Sequence, residues 1–489
     1  MFSRARLVFS MLAVALGLSL VGAPSTTAVV SHGNARFARG AAGVGDNYFP
    51  YAGNGGYDVR HYHLELRYRP PVDPSVPEDQ LRGRLRGVAT LRLKAIQDLS
   101  AFNLDLRGLD VTSVEVNGKR ARFTQVQDDA HRRWEVTVRP RPKLTEGSLA
   151  KVVVTYGGPT GRPRDVEGVL YGWVTTADGA IVVNEPDAAM TWYPVSDHPT
   201  DKATYSYRVT VPKGTTAVAN GLPARRPINR RGTTTWFWRA PDLQASYLST
   251  MSIGDFNFRP RYRTLSGVPI LDAVDADLSP KNLATTTAAL AEQPRILDYF
   301  ESIFGPYPFI ASGAIVDDDS VGYALETQTR PVYSQAADEG TVAHELAHQW
   351  FGDSVSPGRW QDIWLNEGWA TFAEWLWTEH DGGATARERF AEVVAIPVDD
   401  EFWDLVIADP GRNHMFDGAV YDRGAATLYA LRRLIGDEAF FAGAREWLQR
   451  YEDGSATTED FIHVYEDVSG QDLGRFFDRW LRTPAKPTS

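Results

Sequence analysis

From Tyr57 onward, apolar and polar residues alternate with a period of two. Tyr62, Leu64, Leu66 and Tyr68 fall on one side of the alternation, followed by Ala89, Leu91 and Leu93, then Val114 and Val116, then Trp134, Val136 and Val138. Such alternation marks half-buried strands. Asn117-Gly118 is a hairpin-turn dipeptide. Strand-like segments continue to about residue 260. After about residue 262 the repeat lengthens to that of a helix. Ser279-Pro280 reads as a cap and first position, and Leu290, Ile296, Leu297, Phe300 and Phe304 then share a face. Further helices are predicted over roughly 338–351, 365–379, 385–396, 421–435, 437–451 and 458–468, with Gly436 as a stop. No internal repeat is visible. The pattern predicts an α+β protein: an antiparallel β-rich domain over 57–262, shaped as a saddle or sandwich, then a mainly helical domain over 263–489.

The chain start has a different character. Arg4 and Arg6 precede a mostly apolar run from Leu7 to Val21, and Ala23 or Ala28 suits a signal peptidase. Residues 1–28 therefore read as a secretory signal, and the mature protein is expected to be extracellular. The run falls short of the ~20 residues a spanning helix needs, so no membrane attachment is expected after cleavage. Residues 29–56, rich in Gly, Ala and Asn, read as a flexible leader.

Composition removes several chemistries. There is no cysteine, which excludes disulfides, a Cys nucleophile and Cys-ligated metal. With 51 Lys and Arg against 62 Asp and Glu the net charge is −11, which argues against nucleic acid as the main partner. Two charge clusters stand out. Arg225, Arg226, Arg230 and Arg231 read as a solvated hairpin tip, with an anion site as the alternative. Asp317, Asp318 and Asp319 read as a solvated loop, with a calcium site as the alternative.

The informative chemistry lies in His344-Glu345-Leu346-Ala347-His348. On a helix, residues four apart share a face, so both imidazoles can reach one metal ion, and Glu345 stands beside them. Beyond His348, after eighteen intervening residues, comes Glu367, in Trp-Leu-Asn-Glu-Gly. That spacing suits a second, antiparallel helix supplying a third ligand. Two His and one Glu leave a fourth position open for water, the layout of a catalytic zinc. One zinc per chain is expected, held by His344, His348 and Glu367, with Glu345 as general base.

These segments, His344 to Gly352 and Trp364 to Gly368, resemble the M1 family of zinc aminopeptidases. The resemblance extends to Tyr193 to Pro199 with Lys202-Ala203, to Ser246-Tyr247-Leu248 through Phe256, and to Tyr421-Asp422-Arg423-Gly424-Ala425. It implies a thermolysin-like catalytic domain acting on peptides with a free N-terminus. It further implies that Tyr421 stabilises the oxyanion, that Glu374 supports a zinc ligand, and that Glu326, Ala324 and Glu185 bind the substrate and its ammonium group. Glu374 and Glu185 also read as ordinary solvated carboxylates. The chain departs from the family at Tyr323, where a glycine is usual, and only 122 residues follow Glu367, so a long C-terminal helical domain is not expected. The sequence thus points to a secreted zinc aminopeptidase. A thermolysin-like endopeptidase and a non-catalytic zinc- or peptide-binding protein are the alternatives. Oligomeric state and the preferred N-terminal residue are left open.

Overall fold

The computed structural model describes residues 37–259, 262–319 and 321–487. The signal segment 1–28 and the start of the leader lie outside them. The first half is built on a nine-stranded sheet. Its centre runs Thr233–Gln244, Ala203–Pro212, Tyr57–Arg69, Gly83–Ala95, Leu149–Thr160, Asp110–Val116. Tyr62, Leu64, Leu66 and Tyr68 are buried, as are Ala89, Leu91, Leu93, Val114 and Val116, so the period-two pattern marks the face turned to the core. Asn117 (φ 52°) and Gly118 (φ 74°) both adopt the left-handed conformation that a tight two-residue hairpin turn requires. One central pairing differs from the antiparallel expectation. Tyr57–Arg69 and Ala203–Pro212 run parallel, with Thr204 beside His61 and Thr210 beside Arg67. Alternation specifies a face and carries no information on direction.

The leader is the second correction. From residue 37 it is packed, not loose. Tyr48, Phe49 and Ala52 are buried in the core of the helical half. The Asp46 carboxylate accepts backbone N–H groups from Tyr48 (2.8 Å), Phe49 (3.0 Å) and Trp360 (2.9 Å), while Asn54 Nδ2 donates to Asp105 (2.9 Å). Its glycines serve close backbone approach rather than slack. A Cβ at Gly40 would stand 2.4 Å from the Gly55 carbonyl, and one at Gly43 2.0 Å from the Pro50 carbonyl.

Among the described residues, the second half contains eight helices of nine residues or more: α1 (Pro280–Ala291), α2 (Gln293–Phe304), α3 (Glu339–Ala347), α4 (Trp364–His380), α5 (Ala386–Ala395), α6 (Gly418–Ile435), α7 (Asp437–Arg450) and α8 (Thr458–Ser469). The single helix expected after Ser279 is two, because Pro294 lacks an N–H and opens a new first turn. A four-stranded sheet ties the halves together. Its Ala273, Ile315 and Val332 belong to the core of the β-rich half, and the next residues, Val274, Val316 and Tyr333, to that of the helical half. The resulting molecule is a β-rich domain followed by a helical catalytic domain, as the pattern predicted.

Asp317 ends a buried strand of that sheet and Asp319 pairs with Arg162 at 2.9 Å, so only Asp318 fits the solvated-loop reading. The Arg225–Arg231 cluster is an exposed hairpin tip, with Arg225 3.7 Å above the Phe237 ring.

Candidate active site

Helix α3 starts on Asp338, whose side chain accepts the Thr341 N–H at 3.1 Å, satisfying one of the free donors of the first turn. The helix carries His344, Glu345 and, at its C-cap, His348, all turned to one side. Helix α4 runs across this face and presents Glu367 from its first turn. The two elements bring three ligand atoms together. Glu367 Oε2 lies 3.2 Å from His344 Nε2 and 3.4 Å from His348 Nε2. These separations are about the edge of a tetrahedron with 2.0–2.1 Å metal–ligand bonds, so the donor set fits zinc.

The other imidazole nitrogens are directed away. His348 Nδ1 donates to the Phe351 carbonyl at 3.0 Å, and His344 Nδ1 faces Glu374 Oε2 at 3.7 Å. The hydrogen bond to Phe351 selects the His348 tautomer and leaves its Nε2 for the metal, while Glu374 lies near His344 Nδ1 without bonding it. Among buried carboxylates, burial alone would raise Glu367, but His348 and His344 hold it below its ordinary range. Glu345 behaves oppositely. Burial pushes it up to about 8, against the lowering effect of the two histidines.

A cavity of about 520 Å³ opens on this cluster and is lined by both histidines, Glu345, Glu367 and Glu374. Tyr421, on α6, lines it too, with its ring stacked 6.0 Å from that of His344. Burial, and then the neighbouring Glu367, raise its phenol well above 10, so it stands as a donor. Glu185, Ala324 and Glu326 line it as well, with Glu326 within 4.8 Å of ligand atoms of Glu345 and His348. Both carboxylates are buried, and each has an oxygen, Oε1, with no hydrogen-bond donor. Tyr323 lines the cavity where the family has glycine, its hydroxyl tied to the Leu170 carbonyl at 2.9 Å. All nine residues singled out from the sequence therefore border one cavity.

Several contributors had no role assigned from the sequence. Gln349 Nε2 donates to the Glu326 carbonyl (3.0 Å), while its Oε1 accepts the Thr329 N–H (2.7 Å), fixing the segment that holds Glu326. Lys202 Nζ donates to the carbonyls of Asp353 and Ser354, both at 2.8 Å, anchoring the β-rich half to the chain just after the zinc helix. Phe416, Asp165 and Glu167 complete the wall. These residues come from loops, and only chain folding brings them near.

The model of the peptidase M1 N-terminal domain matches residues 59–248, and that of the peptidase family M1 domain matches 315–480. Tricorn protease-interacting factor F2 of Thermoplasma acidophilum is 27% identical over 437 residues, covering 81% of this chain and 51% of that protein. Aminopeptidase A of Gloydius brevicauda is 27% identical over 362 residues, covering 66% and 37%. The chain thus spans about half, or less, of the length of these curated relatives. An M1 zinc metallopeptidase from Deinococcus radiodurans matches in structure with a TM-score of 0.79 and 29% identity, covering 91% of this chain and 99% of that one. A mutant of it bound to a Tyr-Ser-Ala substrate matches with a TM-score of 0.80.

Proposed function

This chain belongs to the M1 family of zinc peptidases, and from that premise we propose that it is a secreted aminopeptidase holding one zinc ion. His344, His348 and Glu367 hold the metal. When bound there, zinc lowers the pKa of its water and polarises the scissile carbonyl.

The remaining work belongs to side chains. Glu345 takes a proton from the attacking water and passes it to the leaving amine. Burial raises this carboxyl, which favours holding the proton between the two transfers. The Tyr421 hydroxyl donates a hydrogen bond to the carbonyl oxygen as negative charge develops on it. Glu185 and Glu326 accept hydrogen bonds from the substrate's α-ammonium group through their free oxygens. The latter pair carries the reading toward removal of N-terminal residues. Two buried carboxylates with donorless oxygens, facing the cleavage centre, await a compact cation, and a free peptide amine is one.

The test uses one peptide and its N-acetylated twin, incubated with zinc-loaded protein and followed by mass spectrometry. Stepwise shortening of the free peptide alone is the expected result. Internal cleavage of both would leave the zinc chemistry intact and replace this reading by an endopeptidase. No cleavage of either would favour a binding protein.

A further inference from the structure

The solvent face of the nine-stranded sheet carries a groove of about 660 Å³, and none of its lining residues borders the catalytic cavity. Four arginines meet there in two rungs. Arg67 stands directly across from Arg86, and Arg69 directly across from Arg84, on neighbouring antiparallel strands. All four are exposed, and among the described residues none forms an ion pair or a side-chain hydrogen bond. A fifth, Arg208, is paired with Glu65 one rung further along. Like charges placed directly opposite on a sheet repel one another. Here they do so twice in succession, in a chain whose net charge is −11, so general basicity does not account for them.

We propose that this groove binds an acidic polysaccharide. Arginine forks match carboxylate and sulfate groups with two parallel hydrogen bonds. Cations at alternate residues along each strand recur every ~6.6–6.8 Å, which suits a linear chain of anions. Thr112, Thr155 and Thr210 line the same groove; the hydroxyls of Thr112 and Thr210 bond within the sheet, to the Thr155 carbonyl and to Thr235, which leaves the Thr155 hydroxyl for a ligand rich in hydroxyls. Gly157, opposite Arg86, leaves the floor free of a side chain. Other polyanions fit less well. No exposed aromatic ring lines the groove to stack a base, as single-stranded nucleic acid requires. Both central strands are paired on each side, so no free edge takes up a peptide strand. The arginines line a recess rather than a protruding surface that a flat bilayer reaches.

The test is isothermal titration of the full chain with a heparin dodecasaccharide, with uncharged dextran, polyglutamate, single-stranded DNA and phosphatidylglycerol vesicles as comparisons. Heparin should bind and dextran should not. Raising salt from 50 to 200 mM should weaken heparin binding by about a hundredfold, as roughly four released counterions imply. The double variant Arg67→Gln/Arg86→Gln should bind at least tenfold more weakly, with a melting temperature equal or higher, as relief of the repulsion requires, and with peptide hydrolysis unchanged. Arg69→Gln/Arg84→Gln, on the adjacent rung, should do the same. Absence of heparin binding overturns the proposal. So does affinity unchanged in both variants, or equal affinity for polyglutamate, DNA or the vesicles.

Discussion

Glu345 is nearly covered by protein, with its carboxylate within 4.8 Å of ligand atoms of His348 and Glu326. Its role is separable from metal binding because it lies outside the trio converging at 3.2 and 3.4 Å. Glu345→Gln should lower kcat by about 10²–10⁴, with zinc per chain unchanged in metal analysis; full activity in that variant would end the general-base assignment. Tyr421→Phe removes one hydrogen bond made as the oxyanion forms. It should lower kcat by about 10²–10³ and leave KM nearly constant in steady-state assays. Glu326→Gln instead removes half of the ammonium's charge partners. Loss of a charged hydrogen bond worth roughly 1.5–3 kcal/mol should raise KM about tenfold or more for free-amine substrates. An unchanged KM would place amine recognition elsewhere.

Between elements, the geometry depends on how closely α4 and α6 approach. They meet at Gly368 and Gly424. A Cβ on Gly424 would stand 2.8 Å from the Gly368 Cα, and one on Gly368 3.0 Å from the Gly424 Cα. Gly368 follows the ligand Glu367, and Gly424 lies about one turn beyond Tyr421. The glycine pair therefore sets the distance between the helices that carry Glu367 and Tyr421. Gly424→Ala should separate the helices, cost about 1–3 kcal/mol in unfolding free energy and weaken zinc binding measured by competition with a chelator. Retention of both would mean that the helices part without disturbing Glu367. Either glycine, seen in sequence alone, reads as a helix weakness. Its value lies in the partner helix, about which local periodicity is silent.

Across the whole molecule, buried carboxylates in the β-rich half link stability to pH. Asp197 is fully buried, with its Oδ2 accepting the Met190 N–H at 2.8 Å and its Oδ1 without a donor. Burial lifts it to about 7 from an ordinary value near 4, and Asp187 adds to the rise. Between those two values the folded state holds a proton that the unfolded chain releases. Stability from this group is therefore complete below about pH 4, falls as pH rises toward 7, and levels off above. Melting temperatures measured from pH 4.5 to 8 should decline over that window, and Asp197→Asn should flatten the decline. Parallel profiles for the two proteins would remove Asp197 as the cause.

Most elements, and the two histidines and one glutamate that converge in the structure, were legible from the sequence alone. Strand faces follow from a period of two, helix faces from 3.6, and both histidines lie on one helix four residues apart, so short-range geometry suffices. Glu367 was legible for a similar reason, as 18 residues admit a turn and an antiparallel return. Tertiary structure alone decided the parallel pairing of Tyr57–Arg69 with Ala203–Pro212, the docking of residues 37–56, and the company kept by Glu185 and Glu326. Those depend on contacts between segments more than a hundred residues apart, whose energies come from burial and shape rather than from neighbouring residues. The Arg groove belongs to the same class. Each arginine is an unremarkable polar position on its own strand, and only the register of the sheet sets them face to face.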